Sequence, residues 1–539
     1  MKDASSGIGL DRLGKQPHVG VRTLELDPFR VATGTLTAVV AGVLGWLLTA
    51  WPPHEDEALP LFVGRGSLGH VLHTVVADRG GAPLHFVLAW AVVHLGGGLT
   101  ALRVVSLVFA VASVPLIAQL GARLADRTTG VVAAVLASAS WVFLFHGIFG
   151  RMYSLFLFTS LLSFLALLAA LERGGKRRFA AWGAALLLLL ATHPYALLVV
   201  TAQALFVLLR RGARRPALTT LAAVAVAGIP FWWADVVLRD RFGVGIGGGG
   251  RQLGSPLSVL GYLWTVAGDF GSHVQVLSEF MLALAGTGAV LLYRRNREGA
   301  LLTTCVILVP AVAFTLATLH STTSPEVRHL IFALPFYSVL LALPLVEAAR
   351  TRPRLMVAAV LTTAVLVAGE VQWAHTKTPQ LFDGDPAGQL RARDDAAAWL
   401  AATSRRDDVL LGYAPVFLRA WEQNRSFSGV VLPRADPALF AAALKAVRLP
   451  LGRGIWVFDA SATTNDDERQ SIPLVLPRPA GQFEGRVYGP YLVIRSRRPL
   501  LTRARYLRAA ASVMQVGRRL AINDADVNLH TMLLAASRL

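Results

Sequence analysis

The sequence predicts a polytopic α-helical membrane protein with a C-terminal α/β domain, and three observations carry that prediction. First, 54% of the 539 residues are hydrophobic and only 16% are charged, against roughly 25% charged in an average soluble domain, and the mean hydropathy is +0.53. Second, several apolar runs approach the ~20 residues that cross hydrocarbon. Third, short arginine clusters punctuate those runs, as the loops of a membrane protein do on the cytoplasmic side. The formal net charge of +19 therefore reads as topology and attraction to anionic headgroups. No nucleic-acid motif accompanies it. A single cysteine, Cys305, excludes an intrachain disulfide.

The elements follow in order. Residues 1–30 are polar and carry Lys2, Arg12, Lys15, Arg22 and Arg30. That is too long and too polar for a cleavable signal, so 1–30 reads as a cytoplasmic segment and 31–51 as an uncleaved anchor. Basic clusters at 123–127, 173–178, 210–215, 294–297 and 350–354 are assigned to the cytoplasm. Hairpins then lie between them: 129–147 with 153–171, 179–193 with 195–210, 217–238 with 277–293, and 300–319 with 329–349. Within 52–122 only one of two apolar stretches can cross. The shorter, 83–97, contains His85 and His94 and reads as an interfacial or half-inserted helix. The count is 11 crossings in a module over 31–373, with a large first outer loop (52–101). Residues 374–539 lie outside. There, strand-like runs (409–411, 455–458, 491–494) alternate with helical ones (396–403, 437–447), the pattern of a small α/β domain. The arginine-rich stretch 500–520 suits either a headgroup-bound or a solvated helix. A glycine run at 243–250 lacks the Lys-Ser/Thr that would make it a phosphate loop and reads as a flexible loop.

Residues 52–57 read PPHEDE, three acids just past the first crossing. Other polar residues fall at the same predicted boundary: His70, His73, Asp78, Arg79 and His85 in the first loop, Arg151 and Tyr153 in one hairpin, and His193 and Tyr195 in "THPY". His320, Glu326, Arg328 and His329 precede the tenth crossing. Each has an ordinary structural alternative: a solvated anchor for the acids, headgroup contact for the arginines, a hairpin cap for His193. Taken together, they suit transfer of a sugar from a lipid phosphate. A carboxylate deprotonates the acceptor hydroxyl, and guanidinium groups hold the phosphate bidentately and steady the leaving group. Asp56 is the expected base with Glu57 beside it, close spacing being one way to raise a carboxyl pKa. Arg151, Arg328 and His329 are expected on the donor phosphate, and Glu55, His85, Tyr153, His193 and Tyr195 as lining.

These residues resemble the GT-C superfamily of membrane glycosyltransferases, near the protein O-mannosyltransferase and aminoarabinose transferase branches. The matching pieces are "DEA" at 56–58, "GGAPLHFVLAW", "TALRVVSLVFA", "FGRMYSLFLF", "THPYALLVV" and "RHLIFALPFY", in the family's order over about the first 350 residues. Gly81-Ala82-Pro83-Leu84 departs from the family's double proline. The resemblance implies an inverting, polyprenyl-phosphate-sugar-dependent glycosyltransferase of the cytoplasmic membrane. Its site would face outward, with Asp56 catalytic and an envelope glycan, lipid or protein as acceptor. It leaves a divalent cation open, and no ligand set is assigned. A lipid-linked sugar flippase, a non-catalytic envelope assembly protein and an oligosaccharide-donor variant remain as alternatives.

Overall fold

The computed structural model describes residues 27–78, 82–210, 212, 214–233, 252–319, 325–382, 386–424, 426–427, 429–434, 437–460, 471–520, 522 and 525–539. Arg79, His320, the glycine run 243–250 and most of the N-terminal segment lie outside the described residues.

The chain enters its helical bundle at α1 (Pro28–Leu47), where Pro28 fills a first-turn position that needs no N–H and Asp27 caps by accepting from the Phe29 N–H at 3.1 Å. Three short helices follow: α2 (Glu55–Val63), α3 (Leu68–His73) and α4 (Leu84–His94). The bundle resumes with α5 (Leu99–Leu124), α6 (Arg127–Ala139), α7 (Trp141–Ile148) and α8 (Tyr153–Arg173). Among the described residues, seven helices are long and apolar enough to cross a bilayer, α1, α5 and α8 among them. A further candidate is broken: α6 and α7 meet at 65°, where Ser140 adopts an extended ψ of 138°. The remaining expected crossings are occupied by shorter helices, Lys176–Leu190, Ala196–Leu209 and Arg215–Ala227. With 11 residues, α4 is too short to cross, and it packs on α2.

One end of the bundle is a belt of ion pairs between the loops expected in the cytoplasm. Asp126, which caps α6, pairs with Arg350 at 2.7 Å and Arg295 at 3.3 Å. Arg127 reaches Asp27 at 3.3 Å and Arg210 reaches Glu298 at 2.9 Å. Such partly exposed pairs contribute roughly 0–1 kcal/mol each, so their effect is to hold the loops in register. Within the bundle, helices approach closely through small residues, as lipid-embedded helices do. Gly121 of α5 faces Gly130 of α6, and a Cβ on Gly130 would run into the Ala118 carbonyl oxygen. One buried polar chain crosses the bundle: Trp182 Nε1 donates to Gln203 Oε1 at 2.7 Å, and Gln203 Nε2 donates to Ser163 Oγ at 2.7 Å.

At the other end stands a five-stranded sheet in which the strands lie in the order Val430–Leu432, Val409–Leu411, Gly454–Asp459, Tyr491–Ser496, Phe483–Tyr488. Its strands are β1 (Val409–Leu411), β2 (Val430–Leu432), β3 (Gly454–Asp459), β4 (Phe483–Tyr488) and β5 (Tyr491–Ser496). β1 runs parallel to β2 and β3, whereas β5 is antiparallel to both β3 and β4. The sequence reading finds β1, β3 and β5, whose residues are buried, and misses β2 and β4, whose burial is partial. The helix Arg503–Arg519 buries Tyr506, Leu507, Ala510, Val513 and Met514 in the core that also contains Trp456 and Phe458 of β3. Its apolar face is thus packed inside the C-terminal region, against the sheet and the helix Ala525–Arg538. A second cluster joins Ala58, Leu61 and Phe62 of α2, Ala89 and Val92 of α4, and Leu400, Leu410, Phe417 and Trp421 of the C-terminal region. The sheet region therefore rests directly on α2.

Gly130→Ala is expected to destabilise the bundle by about 1–3 kcal/mol through overpacking, despite alanine's better helix propensity. Gly42→Ala, with nothing within 4 Å of its Cβ, is expected to be neutral or stabilising. Thermal unfolding in detergent compares the two.

Candidate active site

The run HEDE is the N-terminus of α2. His54 is its cap: its Nδ1 accepts from the Asp56 N–H at 3.1 Å, and its own N–H donates to Glu57 Oε2 at 3.2 Å, a closed capping box. Three acids in one helical first turn also face the positive end of the helix dipole. Because successive residues are turned by about 100°, the three carboxylates point in three directions and have separate partners.

Glu57 is fully buried and saturated. Its Oε1 accepts from Arg103 Nε at 2.8 Å and from the Gly150 N–H at 2.7 Å, while Oε2 accepts from Arg103 Nη2 at 2.6 Å and from His54 N–H. Arg103 in turn donates to the carbonyls of Leu48, Trp51 and Pro52, at 3.3, 2.7 and 3.1 Å. With two donors on each oxygen, Glu57 positions α2 and is not placed to take a proton. Glu55 binds the C-terminal region: Oε1 accepts from the Tyr413 N–H at 3.0 Å, and Oε2 pairs with Arg434.

Asp56 keeps the most solvent-facing carboxylate of the three, its side chain 37% exposed against 23% for Glu55, and among the described residues it accepts no hydrogen bond that ties it to the C-terminal region. Arg328 Nη1 stands 3.9 Å from its Oδ2, and Arg151 Nη1 donates to its backbone carbonyl at 2.9 Å. Burial pushes the Asp56 pKa up, but Arg151, His54, Arg328 and Arg434 outweigh it and hold the group down at about 2. The crowding of three acids does not raise this pKa as the sequence suggests, because its charged neighbours are cations and Glu57 is occupied by Arg103.

Arg328 is held by Glu326 at 2.6 Å and lies over the Tyr153 ring at 5.1 Å. The buried Nε groups of both Arg151 and Arg328 have no hydrogen-bond partner among the described residues. Around them sits an aromatic and imidazole cluster. Tyr195 stacks on His329 at 4.3 Å, and His193 lies 5.5 Å from His329 and 5.6 Å from Tyr153. His193 Nδ1 accepts from the Tyr195 N–H at 3.1 Å, so the hairpin-cap role holds as well. Burial, reinforced by the arginines, lowers its pKa to about 3. His85 is buried, its Nε2 without a partner among the described residues, and burial lowers its pKa to about 3 as well. Arg151, Arg328, His329, Tyr153, His193 and Tyr195 are thus gathered next to Asp56.

A cavity of about 380 Å³ opens at Arg328. Trp141, Phe145, His146, Tyr262, Asp269 and Lys377 are among its other walls. Lys377 lies 3.7 Å over the Trp141 ring and pairs with buried Asp269, which also accepts from Trp373 Nε1 at 3.0 Å. None of these wall residues is singled out by the sequence: Tyr262 and Asp269 belong to the helix Pro256–Phe270, which the reading does not find, while Trp141, Phe145, His146 and Lys377 lie within or at the end of apolar runs and give no sign of which way they face. Arg103 did leave a signal, a lone arginine in an otherwise apolar run. Among the described residues, no group of three or more His, Cys, Asp or Glu is placed to hold a metal ion.

This architecture has solved counterparts. ArnT from Cupriavidus metallidurans matches in the apo state (TM-score 0.51, 13% identity) and bound to undecaprenyl phosphate (TM-score 0.53, 12% identity). Both matches cover 86% of this chain and 98% of that one. The chain has the GT-C fold. The arabinofuranosyltransferase AftD from mycobacteria, also GT-C, matches over 86% of this chain and 41% of its own, with a TM-score of 0.50 and 15% identity. No protein-family profile and no curated protein sequence matches. The GT-C resemblance is therefore one of backbone architecture, carried at low sequence identity.

Arg103→Met is expected to leave Glu57 buried and unpaired, costing about 3–5 kcal/mol, read as loss of folded protein on size exclusion or a large fall in thermal midpoint. Asp56→Asn should unfold like wild type. For the link to the C-terminal region, a double-mutant cycle of Glu55→Ala and Arg434→Ala is expected to give a coupling of about 0.5–3 kcal/mol in thermal or denaturant unfolding.

Proposed function

We propose that this protein is a membrane glycosyltransferase that moves a sugar from a polyprenyl-phosphate donor to a hydroxyl of an envelope glycan, lipid or protein, with inversion. The observation that carries the reading is the pair of buried Nε–H groups on Arg151 and Arg328 that have no partner among the described residues, beside the most exposed carboxylate of the HEDE turn. Buried donors without acceptors cost about 1–3 kcal/mol each, and a phosphate oxygen would satisfy them with charge-assisted bonds. ArnT in its complex with undecaprenyl phosphate supports the same class of ligand on this fold.

Arg328 and Lys377 would hold the phosphate, with His329 behind, and Trp141, Phe145 and Tyr262 would face the first isoprenoid carbons. The acceptor oxygen attacks the anomeric carbon from the face opposite the phosphate. As the new C–O bond forms, the bond to the phosphate oxygen breaks, the hydroxyl proton passes to Asp56, and the electron pair stays on polyprenyl phosphate, steadied by guanidinium. In the empty site Asp56 is a weak base, since a carboxylate held near pH 2 has little proton affinity. The bound donor, a phosphodiester monoanion, takes up part of the arginine charge and raises that affinity, and the second charge develops on the leaving phosphate as the proton moves. The positive-inside rule places the ion-pair belt in the cytoplasm and the site and sheet on the outer face of the cytoplasmic membrane.

Asp56→Asn is expected to lower kcat for radiolabelled polyprenyl-phosphate sugars by about 10²–10⁴, and to bind polyprenyl phosphate as tightly or more so, since a negative charge beside it is gone. Equal turnover by wild type and variant would overturn the assignment. Above pH 3 the free enzyme keeps Asp56 ionised, because its pKa is depressed to about 2. The kcat/KM profile should then show no acid limb from this group between pH 4 and about 7. Arg434→Gln removes one cation and should move the Asp56 pKa upward, toward the ordinary carboxylate range.

A further inference from the structure

A second cleft, of about 450 Å³, lies on the other side of α2's anchor. Its walls include Trp51 at the end of α1, Gly98 in the turn before α5, Arg103 of α5, Arg393 of the helix Ala387–Thr403, and Arg419 and Glu422 of the helix Pro415–Gln423. It therefore sits where the bundle meets the C-terminal region, and its volume falls within the roughly 300–1,000 Å³ of small-ligand pockets.

The lining holds three guanidiniums and one carboxylate, and two further carboxylates behind it complete the balance. Arg103 is matched by Glu57. Arg393 and Arg419 both bind Asp394, at 3.0 and 2.9 Å, and Arg419 also binds Glu422 at 3.2 Å. Three guanidiniums thus meet three carboxylates, so the cleft offers no surplus charge to an anion. With the N–H groups of Arg103 already used, it instead sets the guanidiniums of Arg393 and Arg419 beside the carboxylate of Glu422, donors beside an acceptor, the pattern that matches vicinal hydroxyls, each of which donates and accepts. Trp51 adds an apolar ring whose buried indole N–H has no hydrogen-bond partner among the described residues. Gly98 completes the shape: a Cβ there would collide with the Glu422 carboxylate, so the wall admits no side chain.

We propose that this cleft binds a neutral glycan, namely the part of the acceptor remote from the reacting hydroxyl; the acceptor role rests on the glycosyltransferase reading above. Pro53 in its wall is three residues before Asp56, and Trp51 meets Phe145 of the phosphate cavity edge-on at 5.0 Å. The two cavities are thus separated by one aromatic contact, with the HEDE turn at their junction. Sugar bound on one side and lipid phosphate on the other would place the base between them, and binding energy from the remote sugar would orient the hydroxyl.

The test uses full-length protein in nanodiscs without donor, with methyl α-D-mannopyranoside and methyl α-D-arabinofuranoside as probes in saturation-transfer difference NMR. Saturation is expected on at least one glycoside from wild type and from Asp56→Asn, and is expected to fall at least fivefold in Leu390→Trp, which fills the cleft from a residue of its wall, and in Arg393→Ala, both with unchanged thermal midpoints. Absence of transfer to either glycoside, or transfer that persists in both cleft variants, would overturn the proposal. Radiolabelled-donor turnover is read in parallel. Cleft-dependent saturation without any turnover keeps the glycan site and removes the transferase reading; turnover with cleft-independent saturation does the reverse.

Discussion

The structure of the candidate site depends on one buried ion pair, Glu57 with Arg103. It joins four separate pieces of chain: the exit of α1 through the carbonyls of Leu48, Trp51 and Pro52, the first turn of α2, the body of α5, and the α7–α8 turn through Gly150. Removing two charges from water costs several kcal/mol per ion unless every lone pair and N–H is met. Here both carboxylate oxygens are doubly satisfied. That completeness permits a charged pair at the boundary of an apolar bundle, and it fixes α2 to within hydrogen-bond tolerance.

The other two acids then acquire their roles by direction. With Glu57 pinned, the helical turn carries Asp56 toward Arg151 and Arg328 and Glu55 toward Tyr413 and Arg434. One carboxylate anchors, one ties the C-terminal region down, and one stays accessible. The same C-terminal region packs Leu400, Phe417 and Trp421 against the apolar face of α2. It supports the helix that carries the candidate base, and the charge of Arg434 reaches Asp56.

Around this turn the hydrogen bonding is arranged unequally. On the Arg328 side, where Arg328 and Lys377 pair with Glu326 and Asp269, the Nε–H groups of Arg151 and Arg328 are buried without partners among the described residues, whereas on the other side every N–H of Arg103 is met. An anion and a neutral polyol are the respective complements. The fold brings both cavities to one helix end because α1, α4, α5 and the α7–α8 turn converge there.

Much was legible in the sequence. The apolar runs, the arginine clusters and the run PPHEDE gave the helical bundle, its basic end, the turn carrying Asp56, and the gathering of Arg151, Arg328, His193, Tyr195 and His329. These follow from local chemistry: hydrocarbon demands long apolar helices, and polar residues collect where those helices end. The sequence did not reveal which of three adjacent acids is free, that Arg103 grips Glu57 across 46 positions, or that Lys377 and Asp269 pair from distant helices across 108. Nor did it show the helix Pro256–Phe270 or the two cavities. Those depend on helix rotation and on contacts between remote segments, which set where each side chain points; composition and spacing along the chain carry no record of that direction.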